Sequence, residues 1–206
     1  MLNELINRYP ILSECKEQLL CAAASIISAY EKGGKLFICG NGGSAADADH
    51  IVGELMKGFL KKRPIDANKK EEMSKRFNDN DLLDKLQVGL PAISLSSISV
   101  LNSAFCNDVE PEYIYAQSLF GLANENDILI AISTSGNAKN VAAAAKVAKM
   151  LGITVIGLTG KGGGKLKELS DICICAPESE TYKIQELHLP IYHYLCANTE
   201  AHFFKI

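Results

Sequence analysis

Lys35-Leu36-Phe37-Ile38-Cys39, Gly40-Asn41-Gly42-Gly43-Ser44 and Ala45-Ala46-Asp47-Ala48-Asp49-His50-Ile51-Val52-Gly53-Glu54 follow one another without interruption. The first run is apolar, the second is a glycine cluster, and the third is rich in small residues. Together they predict a buried strand, a tight turn and a helix. The glycines let the backbone approach a ligand closely, and the free N–H groups of a helix start favour an anion. His50 and Glu54 are four apart, so they share a helical face and suit a divalent metal or a substrate proton. A phosphorylated small molecule seated at Ser44, with chemistry near His50 and Glu54, is the expectation.

A second stretch has the same grammar. Asp127 to Ile132 is a near-continuous apolar run, Ser133-Thr134-Ser135-Gly136-Asn137 follows, and an alanine-rich helix is expected from Val141 to Leu151. Hydroxyls placed after a buried strand and ahead of a helix supply donors to a phosphate. Two such turns at the carboxyl ends of parallel strands make a two-sided anion cradle. Pro91 to Leu95, Ile153 to Leu158 and Asp171 to Ala176 complete the strand set. The alternation predicts an α/β, doubly wound fold: one five-stranded parallel sheet flanked by helices. Gly162 to Gly164 lacks the spacing of a nucleotide phosphate loop and is expected to be a flexible turn.

The rest of the chain is assigned around that frame. Residues 2 to 32 form an N-terminal helical extension broken near Tyr9-Pro10, with an apolar face suited to self-association or to internal packing. The helix carrying His50 is expected to continue through Leu60, with Lys61-Lys62-Arg63 as its solvated end. Residues 61 to 89 are polar and are expected to leave the core fold as an insertion with short helices, Asn78-Asp79-Asn80-Asp81 forming the break and cap. Ser96 or Ser97 is expected to cap a helix towards Phe105, and another helix starts near Pro111. A last helix from Thr181 to Phe204 carries Gln185, His188 and His193. Pro190 should kink it, and angular spacing leaves both histidines open as partners of Gln185. His202 is expected at the surface.

Composition bounds the function. A chain of 206 residues with 48% hydrophobic content fills one domain, and a net charge of −3 gives no bulk attraction for nucleic acid or an anionic membrane. Without an apolar segment approaching ~20 residues or a signal-like start, a cytoplasmic protein is expected. The seven cysteines are scattered through apolar runs and are expected to be free thiols.

The run Cys39 to Ser44, the His50 and Glu54 pair, Ser133 to Asn137, the strand end Leu158-Thr159-Gly160-Lys161, and Ile184-Gln185-Glu186-Leu187-His188 with His193 occur in that order. Together they resemble a sugar isomerase (SIS) domain protein of the phosphoheptose isomerase group, over nearly the whole chain outside about 61 to 89. The resemblance implies an enzyme that converts sedoheptulose 7-phosphate to a D-glycero-D-manno-heptose 7-phosphate through an enediol. It also implies a homotetramer with sites between subunits, and Zn2+ in many members. The implied zinc ligands are His50, Glu54, Gln185 and His193, which prefers His193 to His188. The implied substrate contacts are Asn41, Gly42, Gly43, Ser44, Asn107, Asp108, Ser133, Thr134, Ser135 and Gln185, with Asp47 as an acidic neighbour. Glu54 then serves as base and His193 as acid or partner in ring opening. Two positions differ from the family pattern: Ala138 stands in place of a serine, and Gly58, beside Lys57, in place of an arginine. The alternatives are a non-catalytic phosphosugar-binding or replication-initiator-associating protein of the same fold, or an isomerase of another phosphosugar.

Overall fold

Five strands, β1 (Leu36–Cys39), β2 (Ala92–Ser94), β3 (Ile128–Ser133), β4 (Thr154–Gly160) and β5 (Ile172–Ala176), form one sheet in the order β2-β1-β3-β4-β5. All neighbours are parallel, with Leu36 opposite both Ala92 and Ile128. Every residue of β1 and β3 is buried, as continuous apolar strands covered on both faces require. This computed structural model describes residues 1–204.

The helices are α1 (Leu2–Arg8), α2 (Lys16–Glu31), α3 (Gly43–Met56), α4 (Ala67–Arg76), α5 (Asn80–Lys85), α6 (Ser99–Asp108), α7 (Ile114–Leu122), α8 (Lys139–Met150), α9 (Gly164–Leu169) and α10 (Thr181–Phe203). Side chains alternate across the strands and build two cores. Leu36, Ile38, Ile130 and Ile156 pack with Leu19 and Ile26 of α2, Ile51 of α3 and Ile191 of α10. Phe37, Leu129 and Val155 face the other way, against Leu119 of α7, Ala144 and Ala148 of α8, and Leu166 of α9. The alanines of α8 allow that helix to lie close to the sheet. Strand order reverses between β1 and β3, because the chain steps outward to β2 before returning. The crevice at that switch point is where open α/β sheets take ligands.

The structure corrects several local expectations. Helix α3 ends at Met56, four residues before Leu60, and Lys57 is extended. Its last carbonyls are taken by a side chain from outside the helix: Arg63 Nη1 donates to Leu55 O at 2.6 Å and Nη2 to Glu54 O at 3.2 Å. The basic run is therefore no solvated helix end, since Arg63 is 1% exposed. Ser96 and Ser97 sit in a short 3-10 turn and cap nothing; their hydroxyls donate to Gly40 O and to the Asp49 carboxylate instead. Gly163 and Gly164 do form a turn, but it starts a helix, α9, which was not expected. Helix α10 runs unbroken through Pro190. The polar excursion is helical as expected, with Asp66 and Asp79 capping α4 and α5. It is pinched at its base, where Val88 N donates to Arg63 O and Pro64 bridges Gln87. No described helix is long and apolar enough to cross a membrane.

His188 faces the sheet from α10 and is fully buried. Its Nε2 lies 3.2 Å from Thr159 O; a carbonyl only accepts, so Nε2 carries the proton, and Nδ1 is buried without a partner. Burial pushes its pKa down from 6.5 to about 4. Below pH 6.5 the unfolded chain binds a proton that the folded chain refuses, so stability falls as pH drops from about 6.5 to about 4. Each pH unit in that window costs about 1.4 kcal/mol. In urea unfolding at pH 7 and pH 5, the parent chain should lose about 2 kcal/mol more than His188→Asn. Equal losses would show that His188 does not carry this linkage.

Candidate active site

Helices α3 and α10 pack side by side in the same direction and leave a polar seam between them. On α3 the seam carries Gly43, Asp47, His50 and Glu54; on α10 it carries Gln185, Tyr192 and His193. His50 Nε2 lies 3.0 Å from Glu54 Oε1 and 3.5 Å from His193 Nε2. One ligand atom from each of His50, Glu54 and His193 lies within 4.8 Å of the others. The His50 side chain is 42% exposed and Glu54 15%, so the cluster opens to solvent. Lys57 Nζ reaches Glu54 Oε2 at 3.4 Å from the rim.

Behind the cluster, Tyr192 Oη sits 3.0 Å from His50 Nδ1. Glu54 Oε1 can only accept, so His50 Nε2 carries the proton and Nδ1 accepts from Tyr192 Oη; a cation at Nε2 would require the proton on Nδ1, where Tyr192 can accept it. Burial raises the Asp47 pKa, opposed by the neighbouring Tyr192 and His50, while Asp47 Oδ2 is buried without a partner. Burial, then Asp47, raises the Tyr192 pKa, so the phenol keeps its proton. Burial and the neighbouring His50 lower the His193 pKa against the pull of Glu54, which favours the neutral ring. Two imidazole nitrogens and a carboxylate oxygen are the ligand types of zinc sites that keep an open position. The donor set therefore fits such an ion.

The anion cradle lies at the other end of the seam. Ser44 and Ser133 are buried, Thr134 is half-buried, and Ser135 is exposed. Among the described residues the hydroxyls of Ser44, Ser133 and Thr134 have no hydrogen bond to protein. The two turns are tied across the switch crevice. Asn41 Nδ2 donates to Asn140 Oδ1 at 2.8 Å, Asn140 Nδ2 donates back at 2.9 Å, and Tyr115 Oη donates to Asn41 Oδ1 at 3.0 Å. The amide of Asn41 is thus engaged inside the protein. Gly136, with φ of 66°, lets the second turn rest on the α9 turn, because a Cβ there would lie 1.9 Å from Gly163 O.

The expected residues divide into four groups. His50, Glu54 and His193 come together, and Gly42, Gly43, Ser44, Ser133, Thr134 and Ser135 line the two cradle turns. Gln185 separates from His193. Its Nε2 lies 2.4 Å from where a Cβ of Gly43 would be, so its amide sits at the start of α3. That is about two turns, or on the order of 10 Å, from His50 along the helix. Asn107 and Asp108 are exposed at the end of α6, bonded to each other at 2.8 Å. Sequence reasoning missed Tyr192, Tyr115 and Asn140. Only Asn140 gave a signal, as an amide in the first turn of an alanine-rich helix.

The α/β sheet that carries these turns and this cluster is that of a SIS domain, whose pattern matches residues 8–70 and 101–197. The chain is 38% identical over 192 residues to a phosphoheptose isomerase of Helicobacter pylori strain P12, covering 93% of this chain and 88% of the relative. The structure of phosphoheptose isomerase from Neisseria gonorrhoeae superposes with a TM-score of 0.76 at 28% identity, covering 97% of this chain and 94% of that one. That of Francisella tularensis gives 0.74 at 31% identity, covering 89% and 85%. The chain belongs to the phosphoheptose isomerase family.

The position of Gln185 is testable. Gly43→Ala puts a methyl against a flexible side-chain end, so the fold should tolerate it while the Gln185 amide swings off the cradle. Calorimetric titration with a sugar phosphate is expected to show about tenfold weaker binding, the loss of one hydrogen bond to a charged group. Unchanged affinity would place Gln185 away from the ligand.

Proposed function

We propose that this chain is an aldose-ketose isomerase that interconverts sedoheptulose 7-phosphate and D-glycero-D-manno-heptose 7-phosphate. The observation that carries the mechanism is the layout of α3: an anion seat at its first turn and a base-acid cluster two turns further along. An open-chain heptose phosphate has a comparable length, so its phosphate and its C1–C2 carbons reach the two ends together. The uncommitted hydroxyls of Ser44, Ser133 and Thr134, with the Gln185 amide and the N–H groups at the start of α3, hold the phosphate.

Glu54 takes the proton from C1 of the ketose and returns it to C2 through an enediol, while neutral His193 moves the proton between O1 and O2. His50, fixed by Tyr192, sets the position of the Glu54 carboxylate. His50, Glu54 and His193 would hold a Zn2+, which when bound would supply Lewis-acid polarisation of the carbonyl. Ligation and proton transfer by Glu54 would be alternative or successive roles of one carboxylate. Asn107 and Asp108 contact the sugar hydroxyls.

The working assembly is a cytoplasmic homotetramer with sites between subunits. Gln185 and His193 are eight residues apart on one helix, about 12 Å along its axis, so a Gln185 seated at the cradle does not reach the His50, Glu54 and His193 cluster of its own chain. A groove of about 460 Å³ between α1 and α10, lined by Met1, Leu5, Tyr9, Leu60 and Leu189, opens beside His193 and supports self-association.

Incubation with sedoheptulose 7-phosphate, with and without Zn2+, should yield the aldose. Glu54→Gln and His193→Ala are each expected to lower kcat at least about 100-fold while phosphosugar binding stays within a few-fold. Binding without turnover in the parent chain would sink the isomerase reading. Metal analysis of the purified protein should find zinc that His50→Ala loses.

A further inference from the structure

Arg63 and Glu200 are the most deeply buried charged pair in the described chain. Their side chains are 0% and 1% exposed, and Arg63 Nε donates to Glu200 Oε1 at 2.8 Å. Removing two charges from water costs several kcal/mol per ion, and apolar residues of similar volume often serve stability as well. Stability alone therefore does not account for the pair. What distinguishes it is where its remaining hydrogen bonds go.

Arg63 spends both terminal nitrogens on the last turn of α3, at Leu55 O and at the carbonyl of Glu54 itself. Glu200 lies seven residues beyond His193 on α10, within about 20° of the same helical face. Its carboxylate accepts from the N–H groups of Phe59 at 2.8 Å, Leu60 at 2.7 Å and Lys61 at 3.1 Å. The Phe59 backbone fixed in this way presents its ring to His193, with centroids 5.5 Å apart. One end of the pair thus holds the backbone of Glu54 and the other holds the aromatic wall of His193.

We propose that Arg63 and Glu200 are positioning residues of the isomerase site, setting the Glu54 carboxylate and the His193 imidazole in register across the α3-α10 seam. The inference rests on the isomerase reading above for its kinetic consequence, though not for its geometric one. The phosphate cradle lies at the far end of the seam and is untouched by the pair, so the effect falls on turnover rather than on substrate binding. Arginine is required at 63: lysine keeps the charge opposite Glu200 but loses the fork that reaches two α3 carbonyls at once.

The test compares Arg63→Lys and Glu200→Gln with Asp127→Asn. Asp127 is also a buried, ion-paired carboxylate, 5% exposed, but it holds Lys35 and Asn124 at the opposite end of the sheet. All three substitutions should lower Tm. Only the two clamp variants should lower kcat tenfold or more with KM within threefold, assayed where every variant is folded. The chain has four histidines, so 15N-histidine spectra of the full protein resolve the site directly. In the clamp variants the imidazole signals of His50 and His193 should move, while those of His188 and His202 stay. Unmoved signals, or an equal kcat loss in Asp127→Asn, overturn the proposal. Should both clamp variants fail to fold, Phe59→Leu keeps the N–H and removes only the ring; it should shift the His193 signal and lower kcat, and an unshifted signal overturns the proposal. An inactive parent chain would instead overturn the isomerase reading, with the imidazole signals still deciding the clamp.

Discussion

Parallel packing of α3 against α10 is the constraint on which the site depends. The two helices enter the structure far apart in sequence, one after β1 and the other after β5, yet they lie on the same face of the sheet and share one core. Because they run in the same direction, Gly43 meets Gln185, His50 meets Tyr192 and His193, and the end of α3 meets Glu200 through Arg63. Ile51 and Leu55 on one helix and Ile184, Ile191 and Leu195 on the other bury the flanks of this seam. A polar strip between apolar flanks is costly unless its members satisfy one another. Here they largely do: among the described residues, Asp47 Oδ2 is the one buried side-chain atom of the seam without a partner.

The sheet was legible in the sequence because buried parallel strands need no alternation. Apolar runs at Leu36–Cys39, Ile128–Ser133 and Thr154–Gly160, each ending in small or hydroxyl residues, carry that signal within a few positions. What local reading did not reach was any element decided at a distance. Helical periodicity continues past Met56 towards Leu60, but the helix stops because its carbonyls are claimed by Arg63, whose partner Glu200 lies 137 residues away. The same distance explains the misassigned basic run. Only Lys62 of the three is exposed; Lys61 is half-buried with its Nζ donating to Phe204 O at 2.7 Å, and Arg63 is drawn into the core by a carboxylate that no window around it contains.

The site divides along the same line. His50 and Glu54 announce themselves by a spacing of four on one helix, a purely local relation. The choice between His188 and His193 is not local, since both lie on α10 and either suits Gln185 by angle. Packing decides it: His188 turns towards the sheet and spends Nε2 on Thr159 O, while His193 turns towards α3. Gln185 shows the limit of reasoning from residue type alone. An amide suits a metal or a phosphate equally, and only its contact with Gly43 assigns it to the cradle within one chain. Asn41 is similar, for its amide is held by Asn140 and Tyr115, and it braces the two cradle turns.

Gly58, where the resemblance implies an arginine, has a physical cause in the polar excursion. Gln87, at the base of that excursion, accepts the Gly58 N–H at 2.7 Å. A Cβ at position 58 would lie 2.3 Å from Lys61 O and 2.9 Å from Gln87 Oε1, so no arginine fits there while the excursion is closed. The cation that remains beside the Glu54 carboxylate is Lys57, whose side chain is 61% exposed. A solvated ammonium is screened by salt and carries no planar fork, so it holds a carboxylate or a sugar oxygen less firmly than a guanidinium does. Orientation of Glu54 consequently falls to groups it meets from the protein side: His50 at its carboxylate, and Arg63 at its own carbonyl. The excursion and the buried arginine thus act together on Glu54, which is held through its backbone from the protein side.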